Sequence, residues 1–296
     1  MSLSSRSEPS AEPAGPFLVT GASGNVGSAV AASLLRCGLQ VRFGMHRLVH
    51  TEQSTQNQQQ VRLDFADPGT YAAALKGMKG VFLMRPNPVI AVKKTVNRFL
   101  DVAADQGVMH CVFLSVAGAD RNRMVPHYAI EQHLMRGPMH WTMLRAAFFA
   151  QNLTGPYRED IRSGVMVLPA GQGKVAYVDA RDLGEVASMA LREPGRHAGC
   201  AYHLTGADSL SFHEVAALLS SILARPVKYE AASLWRFWRH CRSRAIGIVP
   251  TFAYAVIHAS LRGGGGASID PMLAKLLGRP ARTLRGFIEE HRSVWN

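Results

Sequence analysis

Three glycines at the spacing G-x-x-G-x-x-G, Gly21, Gly24 and Gly27, stand between the apolar run Phe17-Leu-Val-Thr20 and the small-residue segment Ser28 to Arg36. A strand that enters such a turn and leaves as a helix aims unpaired N–H groups and the positive end of the helix dipole at one spot. A diphosphate suits that spot, held by Gly21, Ala22, Ser23, Gly24, Asn25, Val26 and Gly27. Gly21 permits the tight turn, Gly24 removes a side chain that would block phosphates, and Gly27 lets the helix pack closely. A glycine string also serves as an ordinary turn, but its place in the first strand-turn-helix unit favours a nucleotide. The end of the next strand, where an NAD site carries a carboxylate for the ribose hydroxyls, holds His46 and Arg47, with Arg42 earlier. A guanidinium matches a 2′-phosphate that a carboxylate would repel, so NADPH is the expected cofactor, with NADH possible; the alternative for Arg47 is a solvated loop residue.

These residues need a sheet to position them. Strand-length apolar runs near 16–20, 40–45, 60–63, 80–84, 110–115 and 141–145 alternate with helical segments near 25–37, 68–77, 89–106 and 125–136. That alternation predicts an α/β fold: a Rossmann-type doubly wound parallel sheet, with a smaller C-terminal substrate-binding lobe. The expected organisation is a disordered tail over 1–15, a dinucleotide-binding core over 16–150 to which segments near 175–205 return, and a lobe over 151–296. In the lobe, Val175 to Asp182 leads into a helix over 182–192, and Ala201 to Leu204 and Val227 to Ala231 read as strands. Ser211-Phe-His-Glu214 is a capping box opening a helix over 212–224. Gly263 to Gly266 reads as a flexible break, Ile269-Asp-Pro271 as a helix start, and 279–291 as the last helix.

Composition narrows the classes. The chain has 296 residues, 47% of them hydrophobic, enough for a large core. The net charge of +12 comes with scattered arginines and no nucleic-acid signature, so no nucleic acid is expected as partner. The densest basic cluster, Arg236, Arg239, Arg242 and Arg244 among Trp235, Phe237 and Trp238, reads as an amphipathic helix, with a membrane surface or an acidic partner as the other reading. Ala245 to Ala259 is too short for a bilayer span and contains Pro250 and His258. The expectation is a cytoplasmic monomer or homodimer with reduced cysteines at 37, 111, 200 and 241. The twelve histidines lack ligand spacing, so no metal is expected, and there is no G-x-S-x-G hydrolase elbow.

Several segments together resemble the NmrA-like branch of atypical short-chain dehydrogenases/reductases. They are Val19 to Gly27, Asp64-Phe-Ala-Asp67, Gly80-Val-Phe-Leu83, Val112-Phe-Leu-Ser115, Trp141-Thr-Met-Leu-Arg145 through Phe148, Phe149 and Asn152, Val178 to Asp182, and Leu277 to Leu284. The resemblance covers nearly all of the chain after residue 16. It implies an NAD(P)H-dependent reductase, in a group that also holds regulators that bind the nucleotide without turnover. It places Asp64 and Phe65 against the adenine, Met84, Arg85 and Pro86 beside the nicotinamide ribose, and Phe148, Phe149 and Asn152 at the nicotinamide pocket. Trp235, with Trp238, Phe252 and Tyr254, covers an aromatic substrate or forms the lobe's own core.

Ordinary short-chain dehydrogenases use a Tyr-x-x-x-Lys pair. Here Tyr128 is followed at that spacing by Gln132. A phenol with an ordinary pKa of about 10 and no cation beside it is a weak general acid. His127 and Tyr128 are expected to orient the substrate and Ser115 to hydrogen-bond substrate or cofactor; a helix-start residue and simple packing are the plainer readings of the first two. The missing lysine fits hydride delivery to an already electron-poor centre in a conjugated or cationic small molecule, such as a quinone or an iminium. A nucleotide sensor without catalysis, and a non-redox isomerase or cyclase, are the rival expectations.

Overall fold

The structure, a computed structural model, describes residues 15–48, 57–86 and 91–296. The tail expected over 1–15 lies, except for Gly15, outside the described residues. The described residues form two units by their internal contacts, one within 15–145 and 183–202, the other within 146–182 and 203–296.

The main sheet is built from β1 (Phe17–Thr20), β2 (Val41–Met45), β3 (Gln58–Arg62), β4 (Gly80–Met84), β5 (His110–Val116) and β6 (His140–Ala146). Further along the chain come β7 (Phe148–Phe149), β8 (Val165–Leu168), β9 (Lys174–Val178) and β10 (Cys200–Leu204), which joins the sheet edge. The order is β10-β6-β5-β4-β1-β2-β3, and the pairings from β3 across to β5 are parallel. All four residues of β1 are buried, and in β5 all but Val116, as expected for strands covered on both faces. The sheet order reverses between β1 and β4. In an open α/β sheet the ends of those two strands flank the ligand crevice.

Helices α1 (Asn25–Arg36), α2 (Tyr71–Leu75), α3 (Val96–Asp105) and α4 (Pro126–Arg136) connect the strands. In α3 the buried Val96, Phe99, Leu100 and Ala103 form one stripe, and they share a core cluster with Tyr71, Phe113, Ile130 and Leu134. The helix expected over 68–77 is only a 3-10 turn, Pro68–Thr70, followed by the short α2. Asp67 caps the Gly69 N–H at its start, and at its end the Arg42 guanidinium donates to the carbonyls of Ala74 (3.1 Å) and Lys76 (2.8 Å). The helix expected over 89–106 is regular only as α3, behind a 3-10 turn at Val92–Lys94.

The second unit adds α5 (Arg158–Arg162), then, beyond α6 (Ala180–Arg192) and α7 (Pro194–His197), β11 (Ser209–Ser211), α8 (Phe212–Leu223), β12 (Lys228–Ala231), α9 (Leu234–Ser243), α10 (Ile248–Leu261), α11 (Met272–Leu277) and α12 (Leu284–Glu290). Two small sheets, β11-β9-β7 and β12-β8, organise it. The capping box at Ser211 and Glu214 forms as expected. Gly266 is no loose end, because its carbonyl accepts the Ala176 N–H at 2.7 Å and it bridges to Val175. The last helix begins at Leu284, five residues later than expected. Arg279 and the Arg282 N–H (2.7 Å) reach the fully buried Asp182, and the Thr283 hydroxyl accepts the Gly286 N–H.

Candidate active site

The glycine turn follows β1. Gly21 has φ +63°, a conformation that L side chains rarely adopt. Its carbonyl accepts the Gly24 N–H at 2.9 Å, and Gly24 is the N-cap of α1. A Cβ on Gly27 would collide with the Gly21 carbonyl and the Ala22 nitrogen, so α1 can lie against the turn only with glycine there. A Cβ on Gly24 would meet only the Gly21 carbonyl, at 3.3 Å, and the end of Met84; its other side is open. No side chain caps α1 and its first turn holds no carboxylate. Asn25 and Ser23 are exposed, Ala22 and Val26 buried. The result is a bare cradle of amides, the shape and polarity a diphosphate requires.

Met84 and Arg85 leave β4 beside this turn. The Met84 N–H donates to the Thr20 hydroxyl at 2.8 Å, and its methyl fills the space next to Gly21. His46 and Arg47 are exposed at the end of β2; the imidazole lies 3.4 Å from Asp64. Asp64 also accepts the Ala66 N–H at 2.9 Å. The ring of Phe65 is buried and packed edge-on against Phe99, 5.1 Å between centroids. Arg42 is likewise committed elsewhere, to the end of α2, which removes it as a 2′-phosphate ligand.

The α4 helix carries the residues expected to do proton chemistry, with Pro126 at its first position. The His127 ring stacks on Phe113, 5.9 Å between centroids. Burial, helped by the Arg85 guanidinium, pulls its pKa down to about 4. It is therefore a neutral imidazole at pH 7, able to orient but not to act as a charged acid. Tyr128 and Gln132 are both half-buried. Ser115 is fully buried at the end of β5 and donates to Glu131 at 2.5 Å, which commits its hydroxyl proton. Glu131, also fully buried, is held by the Arg145 guanidinium through Nε (3.1 Å) and Nη2 (2.8 Å), and Arg145 reaches Asp120 as well. This Ser115–Glu131–Arg145 chain escaped sequence reasoning. The only hint was a carboxylate at Glu131, three residues after Tyr128, where a helix buries its inner face.

In the second unit, Phe148 and Phe149 form a two-residue strand paired with Tyr177 and Val178. Phe148 joins an aromatic cluster with Tyr157, Tyr177, Phe212 and His258. Asn152 is half-buried in a 3-10 turn, and its carbonyl accepts the Tyr157 N–H at 3.0 Å. Trp235 is exposed, stacked on Trp238 at 5.1 Å. A cavity of about 210 Å³ in this unit is lined by Tyr157, Asp160, His240, Arg244, Tyr254 and His258 among others. At its floor the Tyr157 hydroxyl and His258 Nε2 are 2.6 Å apart, while Nδ1 meets the Tyr254 carbonyl at 2.5 Å. Burial pulls His258 down to about 4 and pushes Tyr157 well up, so both are neutral at pH 7. The neutral ring then donates from Nδ1 and accepts the tyrosine proton at Nε2.

Residues 15–246 match the NmrA-like family. The chain belongs to that family. It is 32% identical over 287 residues to the NAD(P)H azoreductase of Xenophilus azovorans, covering 94% of this chain and 99% of the relative. It is 31% identical over 287 residues, with the same coverage, to the (4-alkanoyl-5-oxo-2,5-dihydrofuran-3-yl)methyl phosphate reductase of Streptomyces griseus. The NADPH-dependent quinone oxidoreductase of Escherichia coli complexed with NADPH has the same fold, with a TM-score of 0.84 at 23% identity over 93% of this chain and 99% of that one. Among the described residues no helix of this NmrA-like protein is long and apolar enough to cross a membrane, and no cluster of three metal-ligating side chains occurs.

Proposed function

We propose that this NmrA-like protein is an NADPH-dependent reductase of a conjugated or cationic small molecule, one whose acceptor atom is electron-poor before hydride arrives. When bound, the cofactor supplies the hydride. The chain's own work is then binding, placement and exclusion of water. The amides of Gly21 to Gly27 hold the diphosphate, and Arg47 with His46 faces the 2′-phosphate. Asp64 is the adenosine-side polar group, and Met84 and Arg85 lie where the ribose next to the nicotinamide is expected. His127 offers a neutral N–H and Tyr128 a phenol for orienting the acceptor. The azo, dihydrofuran and quinone chemistries of the relatives' names all present conjugated acceptors, which supports the same class here.

One observation carries the substrate class. At the start of α4 no charged proton donor is prepared: His127 is neutral, Gln132 replaces the expected lysine, and the Ser115 hydroxyl is spent on Glu131. A simple ketone needs a proton at the developing alkoxide, whereas a quinone or iminium acceptor needs much less help at that moment.

The test is NADPH oxidation by the purified chain with a naphthoquinone, an azo dye and an aliphatic ketone. The first two are expected to turn over and the ketone not. Tyr128→Phe is expected to lower kcat less than about tenfold, below the hundredfold or more typical of a lost general acid. Ketone reduction that collapses in Tyr128→Phe would refute the assignment, and NADPH binding with no turnover of any acceptor would select a nucleotide sensor.

A further inference from the structure

Helix α10 is inside out. Over fourteen residues, Ile248 to Leu261, it has no charged side chain at neutral pH, and its polar Thr251 and His258 are turned inward together with Leu261. Thr251 closes on the Gly247 carbonyl at 2.8 Å and His258 on Tyr157. Outward, into water, point Ile248, Val249, Phe252, Val256 and Ile257, with Phe252 72% exposed and Ile248 68%. Their spacing puts all five on one half of the helix wheel. The preceding helix adds to the same unit an exposed Leu234, Trp235 and Trp238. Of the fourteen large apolar side chains exposed among the described residues, these eight fall between residues 234 and 257. Scattered exposure of this kind is ordinary, but a concentration on two successive helices, one of them inverted, marks a contact surface.

The charges say what kind. From Ala231 to Ile269 there is no Asp or Glu, while Arg236, Arg239, Arg242, Arg244 and Arg262 are present. Arg236 is paired with Glu230 at 2.8 Å, Arg244 reaches Asp160, and Arg262 is taken up by the Pro169 and Ala232 carbonyls. Arg239 and Arg242 have no acidic partner among the described residues. They share the outer stripe of α9 with Trp235 and Trp238, and the Arg242 guanidinium sits over the Trp238 ring at 5.5 Å. An exposed apolar face on one helix, with a tryptophan pair and unpaired guanidiniums on the helix before it, supplies the groups that acyl chains, the headgroup zone and anionic phosphates of a bilayer interface take up.

We propose that α9 and α10 seat this protein on an anionic lipid surface, without spanning it. A second copy of the chain is the less favourable occupant. A two-fold interface over this face would set Arg239 and Arg242 against a copy of the same basic patch, with no carboxylate between residues 231 and 269 to answer them. A layer of phosphate headgroups answers them directly, at a worth that falls with salt.

The proposal is separable from the reductase reading, because its readout needs no substrate. The full chain is floated with vesicles of phosphatidylcholine alone and of phosphatidylcholine mixed with phosphatidylglycerol. It is expected to float with the mixed vesicles only, less so as salt is raised, with tryptophan emission moving to shorter wavelength. Arg239→Gln with Arg242→Gln is expected to lower the partition coefficient about thirtyfold, from two basic side chains near the surface. Val249→Glu with Val256→Glu is expected to lower it by at least about tenfold, with an unchanged urea midpoint showing that the fold is intact. Absence of flotation, equal flotation with both vesicle types, or flotation that survives both pairs of substitutions overturns the proposal. So does a dimer in sedimentation that Val249→Glu with Val256→Glu dissolves while no vesicle binds.

Discussion

Helices α1 and α10 each hold three alanines and two valines and have opposite manners. Both are rich in alanine, valine and leucine or isoleucine, and neither has an acidic residue in its first turn. The first buries Val26, Val30, Ala31 and Leu34 against the sheet; the second buries Thr251, His258 and Leu261 and turns Ile248, Val249, Phe252, Val256 and Ile257 out. The difference comes from what each helix packs on. A parallel sheet offers α1 a broad apolar face, so its hydrophobic stripe goes inward. The interior facing α10 already contains a hydroxyl, on Tyr157, that needs an acceptor, and His258 is turned in to provide it. Composition alone therefore says how much apolar surface a helix has, not which way it faces.

Several experiments break or sharpen that contrast. The largest effect is expected at α1's closest approach: Gly27→Val drives a branched side chain into the Gly21 backbone. Denaturant unfolding should show a loss of more than about 3 kcal/mol, and calorimetry with NADPH no heat, because the cradle itself is displaced. If Gly27→Val folds and binds normally, α1 does not rest on the turn.

Next comes acid. His258 in α10, like His110 and His127 in the first unit, is held as the neutral base down to about pH 4. The unfolded imidazole takes up its proton near pH 6.5, so stability is complete above that value and falls as the pH drops towards 4. For His258 the loss is about 3 kcal/mol across that window, and urea midpoints measured between pH 7 and 4.5 should show His258→Phe with a flatter profile than the parent.

A smaller and more pointed pair compares valine with valine. Val30→Ala, in the buried stripe of α1, should cost about 2 kcal/mol, whereas Val249→Ala, on the outer face of α10, should stay within about 0.5 kcal/mol. Equal costs would mean that the outer face of α10 is covered in the isolated chain. The smallest effect lies at the turn between α9 and α10, where Ala245 holds φ +54°. Ala245→Gly should raise the melting temperature, by a gain of about 0.5–1 kcal/mol from relief of that left-handed conformation.

The sequence made the first unit plain and the second much less so. Strands β1, β4 and β5 were legible because a strand buried on both faces is an unbroken apolar run, and the glycine turn because its spacing has a steric cause at each position. Strand β7 was not, since two phenylalanines in a row fit a helix, a strand or a core equally, and only pairing with Tyr177 and Val178 decides it. Gly263 to Gly266 looked like a break because glycine signals local freedom, while the bridge to Val175 is a contact across ninety residues that no local pattern records. In the candidate site the absence of lysine at Gln132 was legible. The capture of the Ser115 hydroxyl by Glu131 was not, because the two lie sixteen residues apart and meet only through packing. Arg42 and Arg47 look alike as letters, but one closes the end of a helix and the other stands in water.

Asp182 has a consequence for how the chain is made. Its carboxylate is fully buried and answered by Arg279 and Arg282, which lie 97 and 100 residues further on. A nascent chain thus exposes this anion long before the cations that neutralise it have been translated, and desolvating it alone would be costly. Until residues 279–282 are in place, closing the C-terminal unit around Asp182 would bury an uncompensated carboxylate. Removing both arginines should therefore cost the unit more than losing two surface ion pairs.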